Sequence, residues 1–183
     1  LKGINFNIYK GERVGLIGAN GIGKTTLFKI ILGQIQKDSG YINLGTHVYP
    51  GYFDQEMDRL NLDKTIIDEI WDENPSLDHY DIRTALSQFL FVGDDIFKDI
   101  KDLSGGEKGR LALLKLMLSK ANFLLMDEPT NHLDIESIQW LEQFLAQSAK
   151  AVILISHDRA FINNVCNRTL EISCGQVIDY KVK

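Results

Sequence analysis

Two cysteines, three prolines and no apolar run near the roughly 20 residues that cross a bilayer set the first limits on this 183-residue chain. Cys166 and Cys174 allow at most one disulfide and stand in no metal-ligand spacing to a histidine pair. Both therefore read as small core residues in a reducing, cytoplasmic setting. The longest apolar stretches, such as Ala151 to Ile155, are strand-sized, so no direct membrane insertion is expected. Few prolines and a 44% hydrophobic share exclude a disordered or fibrous chain. A basic excess is also missing: 20 Lys plus Arg face 25 Asp plus Glu, a formal charge of −5, so the broad basic face of a nucleic-acid binder is not expected. Folding at this length buries roughly 70% of the unfolded surface, enough for one domain with an inserted lobe. The opening Leu1-Lys2-Gly3-Ile4 has no initiator Met, basic leader or cleavage site, which leads us to expect a segment of a longer polypeptide.

What is present falls into three blocks, without internal repeats. Up to residue 55, alternating Ile4, Phe6 and Ile8 predict a strand, and Val14 to Ile17 a short buried one. A helix is expected over about Lys24 to Leu32, stopped by Gly33, with further strands at Tyr41 to Leu44 and Val48 to Phe53. Residues 56–102 read as a helical lobe, with Ile66, Ile67, Ile70 and Trp71, then Ile82, Leu86, Phe89 and Leu90, at helical spacing. From residue 54 to 102 there are 14 acidic and 5 basic residues, net −9; the rest of the chain holds 11 acidic and 15 basic, net +4. Residues 103–183 return to alternation: a helix over Glu107 to Leu118, a strand Phe123 to Met126, a helix Ile135 to Leu145 and a strand Ala151 to Ile155. A short helix near Phe161 and a strand pair, Leu170 to Ile172 and Gln176 to Tyr180, follow. Strands alternating with helices imply an α/β fold, a mainly parallel sheet flanked by helices on both faces.

Gly18-Ala19-Asn20-Gly21-Ile22-Gly23-Lys24-Thr25, followed by Thr26, fits the eight-position phosphate-binding loop at every constrained place. Glycines between a buried strand and a helix let consecutive backbone N–H groups curl around an anion at the positive helix end. Lys24 would reach the terminal phosphates and Thr25 would offer its hydroxyl to Mg²⁺. Apolar Phe123 to Met126 leads into Asp127 and Glu128, at the strand end where an open α/β sheet binds ligand. Asp127 can hold Mg²⁺, and Glu128 can orient or deprotonate a water that attacks the γ-phosphate.

Leu103-Ser104-Gly105-Gly106-Glu107 has two readings. Ser104 with Glu107 is a capping box, and glycines at a helix start can also expose N–H groups to an anion. With this segment the whole chain resembles the ATP-binding-cassette (ABC) ATPases, whose ordered motifs fall on Gly18 to Thr25, Gln55, Ser104 to Gly106, Asp127 with Glu128, and His157. The resemblance implies a P-loop NTPase core over residues 1–55 and 103–183, a mainly parallel sheet with a small antiparallel β portion, interrupted by a helical subdomain. It implies ATP and Mg²⁺ as ligands, with Gln55 sensing Mg²⁺ and the attacking water and His157 contacting the γ-phosphate. Ser104, Gly105 and Gly106 would cover the ATP held by a second cassette, and His132 would lie in the loop by which cassettes touch.

Finer features resemble the ABC-F branch of tandem-cassette proteins, most of which act on the ribosome: the signature ending in Glu107, Lys108-Gly109-Arg110-Leu111 after it, Asp127 through Asp134, Ser156-His157-Asp158-Arg159, and the Tyr52-Phe53-Asp54-Gln55 approach. The family's upstream adenine-stacking aromatic has no assigned counterpart, since Phe6 and Tyr9 lie in a different strand. From Gln55 to Ser104 is 49 positions, too few for a large helical arm, which implies a second cassette or an armless member. Two other classes stay open: the ATP-binding subunit of a membrane transporter, with a transmembrane partner, and a non-hydrolysing ATP-binding module. Trp71 and Trp140 read as core, and His47 and His79 as surface residues.

Overall fold

The computed structural model describes residues 3–53, 60–131, 133–173 and 176–181; Gln55, His132 and Cys174 lie outside the described residues. The chain forms two compact units. The first comprises Leu1–Gln55, Ala121–Asn131 and Gln139–Lys183, and the second Glu56–Lys120 and His132–Ile138.

In the first unit the apolar runs become strands β1 (Arg13–Gly18), β2 (Pro50–Phe53), β3 (Phe123–Asp127), β4 (Ala151–Ile155), β5 (Arg168–Ser173) and β6 (Gln176–Lys181). They order as β2-β3-β4-β1-β5-β6, with β2 and β6 at the two edges. The first five run parallel, and β6 pairs antiparallel with β5. Every residue of β4, and Phe123 to Met126 of β3, is buried, as expected for strands that cannot alternate because both faces are covered. Helices α1 (Lys24–Ile31) and α6 (Arg159–Val165), with most of α5 (Ile135–Gln147), belong to this unit. Leu27 and Phe28 of α1 pack with Val14, Leu16, Leu125, Ile153, Ile155, Leu170 and Ile172, which defines the face of the sheet that α1 covers. The sheet is thus the mainly parallel, helix-flanked one that the alternation implies, and the β5–β6 pair is the small antiparallel portion that the resemblance implies. Cys166 is a buried free thiol whose pKa burial pushes up to about 12, consistent with a packing role.

The second unit is helical: α2 (Ile66–Glu73), α3 (His79–Gln88) and α4 (Gly105–Leu118), with short 3-10 turns at Gly93–Phe97 and Ile100–Asp102. Each helix start is capped locally. The Thr65 hydroxyl accepts from the Asp68 N–H, Asp78 Oδ1 accepts from the Asp81 N–H, and Ser104 caps α4. Ile66, Ile70, Ile82, Leu86, Ile100, Leu111 and Leu114 are buried. Among them sits Glu69, 3% exposed, paired with Lys115 of α4 and receiving the Asn61 N–H. Lys115 also meets Glu73 at 2.8 Å, and Lys64 joins Glu69 to Asp72. Removing one partner of a buried pair strands the other charge. Since Glu73 remains beside Lys115, Glu69→Ala is expected to cost about 2 kcal/mol, less than for an isolated pair, and a lowered thermal unfolding midpoint would report it.

Three expectations change. Ile4, Phe6 and Ile8 lean partly buried against the core of the first unit, but their backbone is not in the ladder. Tyr41 is 91% exposed and residues 41–44 form no strand, so β2 begins only at Pro50. Alternation marks a segment fit for a sheet, whereas membership needs a neighbouring strand in register. In the second unit Leu90, expected on the α3 stripe, takes a left-handed φ of 65° and is 40% exposed. The chain turns there, the Phe91 N–H donates to the Leu86 carbonyl, and Phe91 at 2% exposure fills the core instead.

Candidate functional site

The loop after β1 is built around the start of α1. Gly23 is the N-cap, with φ 102° in the left-handed region where a side chain is strained, and it supplies no side-chain cap. No acidic residue lies in the first turn of α1, so its first N–H groups and positive end remain for an external anion. Ala19, Asn20, Gly21, Thr25 and Thr26 are exposed, Ile22 is half-buried, and the Ile22 N–H donates to the Ala19 carbonyl to close the loop. Lys24, only 8% exposed, turns its Nζ into the loop and donates to the Gly18 carbonyl at 2.8 Å and the Ala19 carbonyl at 3.2 Å. The ammonium is therefore held where a phosphate on the loop would meet it.

Asp127 ends β3, which β4 separates from β1, with one carboxylate oxygen, Oδ2, accepting from the Tyr52 hydroxyl at 3.4 Å. Glu128 then leaves the strand with φ 47°, unusual for a residue with a side chain, while its N–H extends the ladder to the Ile155 carbonyl at 2.9 Å. Both Glu128 oxygens meet His157, just past β4: Oε2 accepts from the His157 N–H at 3.3 Å, and Oε1 lies 3.2 Å from Nε2. Burial pushes the Glu128 pKa up; the charges of His157 and Lys24 and the His157 N–H pull it down, and Asp127 adds to the rise. The first unit thus brings Lys24, Asp127, Glu128 and His157 to the carboxyl ends of β1, β3 and β4.

Ser104, Gly105 and Gly106 lie in the second unit. The capping box is complete: Ser104 Oγ accepts from the Glu107 N–H at 3.2 Å and Glu107 Oε2 from the Ser104 N–H at 2.8 Å. Ser104 and Gly105 are exposed, whereas Gly106 is buried, and a Cβ there would sit 2.8 Å from Asp134 Oδ2 and 3.0 Å from Ser137 Oγ. Asp134 Oδ1 accepts from the Ser137 N–H at 2.7 Å, which with other Ser137 bonds holds its pKa down. Arg110 Nη1 donates to Ser137 Oγ at 2.6 Å, and its guanidinium lies over Phe91, 5.7 Å from the ring centroid. The capping reading of this segment therefore holds, and it is compatible with the anion reading because Ser104 and Gly105 stay exposed.

Sequence reasoning missed two of these contacts. The Tyr52 hydroxyl on Asp127 follows from register, since Tyr52 pairs with Leu125 and Asp127 is two residues on, on the same face. The Arg110–Ser137 link has no signal in local periodicity. His47 and His79 are exposed, as expected, with the His79 ring edge-on to Trp71 at 3.9 Å between centroids. Trp71 and Trp140 are half-buried, and Trp140 stacks on Phe144. Among the described residues no cluster of three or more His, Cys, Asp or Glu could by itself hold a metal ion. One strand-end carboxylate beside a hydroxyl suits Mg²⁺, which is commonly held by one or two carboxylates together with substrate phosphates and water.

A family model described as ABC transporter matches residues 1–131. The chain is 49% identical over 177 residues to a putative ATP-binding protein, YdiF, of Bacillus subtilis, covering 97% of this chain and 28% of that protein. It is 40% identical to ABC transporter F family member 5 of Arabidopsis thaliana, covering 98% of this chain and 26% of the relative. The chain thus spans under a third of the length of these two relatives. Among solved structures, cbiO1 from Clostridium perfringens, described as part of the ABC transporter complex cbiONQ, superimposes with a TM-score of 0.79 at 25% identity, over 99% of this chain and 81% of that one.

Proposed function

The chain belongs to the ABC transporter family as one of its ATPase domains, with ABC-F members among its relatives, and we propose that it binds MgATP and hydrolyses it at a composite site shared with a second cassette. The observation that carries this reading is the meeting of the uncapped α1 start and Lys24 with Asp127 and the Glu128–His157 pair at one end of the parallel sheet. The backbone N–H groups of residues 18–26 hold the phosphates, and Lys24 exchanges its loop carbonyls for phosphate oxygens. Thr25 and Asp127 would hold Mg²⁺, which when bound would neutralise negative charge on the phosphates. Glu128 takes a proton from water as the water oxygen bonds to the γ-phosphorus. The bond from that phosphorus to the bridging oxygen breaks, giving ADP and inorganic phosphate. His157, through both Glu128 oxygens, keeps the carboxylate aimed. Gln55 is assigned to Mg²⁺ and the attacking water, and Ser104, Gly105 and Gly106 to the nucleotide of the second cassette.

For the full-length protein we propose a cytoplasmic, ribosome-associated factor of the ABC-F kind, acting in translation or in protection from ribosome-directed antibiotics. Among the described residues no helix is long and apolar enough to cross a membrane, and the likeness to an F-family member favours this reading over a transporter subunit. The test is cosedimentation. Full-length protein locked with a slowly hydrolysed ATP analogue should pellet with ribosomes and release when ADP replaces the analogue. Recovery with the membrane fraction, bound to an integral-membrane partner, would overturn the ribosomal reading and favour the transporter one.

A further inference from the structure

Tyr52 belongs to no assigned site, yet it touches one. Its ring sits on the α1 face of the sheet, in register with Leu125 and packed against the core of the first unit. The fully buried Phe28 of α1 meets it edge-on, 6.4 Å between centroids at 84°. That contact limits where the ring can turn, and the hydroxyl at its far end donates to Asp127 Oδ2. Packing alone needs the ring and not the hydroxyl. A polar tip aimed at the carboxylate ending β3 is the arrangement by which a neighbour fixes a metal-binding group before the metal arrives.

We propose that Tyr52 is a positioning residue for the divalent cation: by holding Oδ2 it sets the rotamer in which Asp127 meets Mg²⁺ or a water bound to it. This rests on the reading of Asp127 as a Mg²⁺ group. Without the hydroxyl, the carboxylate can turn among rotamers that the cation must then select, which lowers cation affinity and leaves the phosphate loop unchanged.

Tyr52→Phe deletes that oxygen alone. In the full-length protein, retention of a fluorescent ATP analogue is titrated with Mg²⁺, with nucleotide binding in EDTA measured alongside and Asp127→Asn run as a control. Tyr52→Phe should raise the half-saturating Mg²⁺ concentration about 10-fold, the lower end of what partners of metal-binding groups contribute, while binding in EDTA stays unchanged. Asp127→Asn should raise it further. If Asp127→Asn shifts the Mg²⁺ requirement and Tyr52→Phe does not, Tyr52 has no positioning role and the inference falls while the assignment of Asp127 stands. If Tyr52→Phe weakens binding equally in EDTA, its effect is on the loop or fold and the inference falls as well. A titration that neither substitution moves would remove Asp127 from the cation site and take the inference with it.

Discussion

Glu128→Gln is expected to lower steady-state phosphate release from the full-length protein by roughly 10²- to 10⁴-fold, the range contributed by a positioned general base. Nucleotide affinity should be retained. The amide has nearly the size of the carboxylate, its oxygen can still accept from the His157 N–H, and the backbone bond to the Ile155 carbonyl is untouched. What disappears is the group that takes the proton and the charge that faces His157 Nε2. The choice of glutamine matters because Glu128 has a positive φ, so a change that perturbed the turn would confuse lost chemistry with lost geometry. Phosphate release and equilibrium binding of ATP are measured on the same preparation. Turnover within a few-fold of the unsubstituted protein would remove Glu128 from the reaction.

Lys24→Met acts one step earlier. Removing a buried, charged partner of a phosphate costs about 2–5 kcal/mol by analogy with desolvated charge pairs, so ATP affinity should fall on the order of 30-fold or more. Methionine matches the apolar stem of the lysine, and the 8% exposure of Lys24 means that stem is already packed. The Gly18 and Ala19 carbonyls lose their donor, but they adjoin the exposed tip of the loop where water can replace it. The unfolding midpoint is therefore expected to change little. Isothermal titration with MgATP, set beside a thermal melt, separates the two effects. Unchanged affinity would contradict the placement of the terminal phosphates on this loop.

How far the sequence led depends on how local each signal is. The loop from Gly18 to Thr25, the buried runs of β3 and β4, and the capping box at Ser104 each rest on neighbours a few residues away, and each was legible. The capping box moves the start of α4 to Gly105, two residues before the expected Glu107, because the N-cap lies at Ser104. The strands expected at Ile4 to Ile8 and Tyr41 to Leu44 depended on partners that a linear pattern does not name. The strand order, which inserts β1 between β4 and β5, is likewise a property of the assembled sheet. Leu90 departs from the α3 stripe for another reason: an apolar residue at helical spacing carries no mark of the left-handed turn that expels it. Of the proposed site, Lys24, Asp127, Glu128 and His157 each sit in a motif that the sequence displays. The Glu128–His157 contacts, the Lys24 bonds to the loop carbonyls and the Tyr52 hydroxyl on Asp127 belong to the assembled fold and have no mark in the linear pattern.

The position of β2 at the sheet edge bears on self-association. An edge strand offers unpaired backbone groups that another copy's strand can pair with, the first step towards aggregation. Pro50 opens β2 opposite Phe123 and has no amide hydrogen to offer on its outer side. With four residues in the strand, one proline removes a sizeable part of the exposed donor row. The strand that sets Tyr52 beside Asp127 is therefore also one that gives a stray β-strand little to grip, so an edge kept short for want of a neighbour still resists recruiting the wrong one.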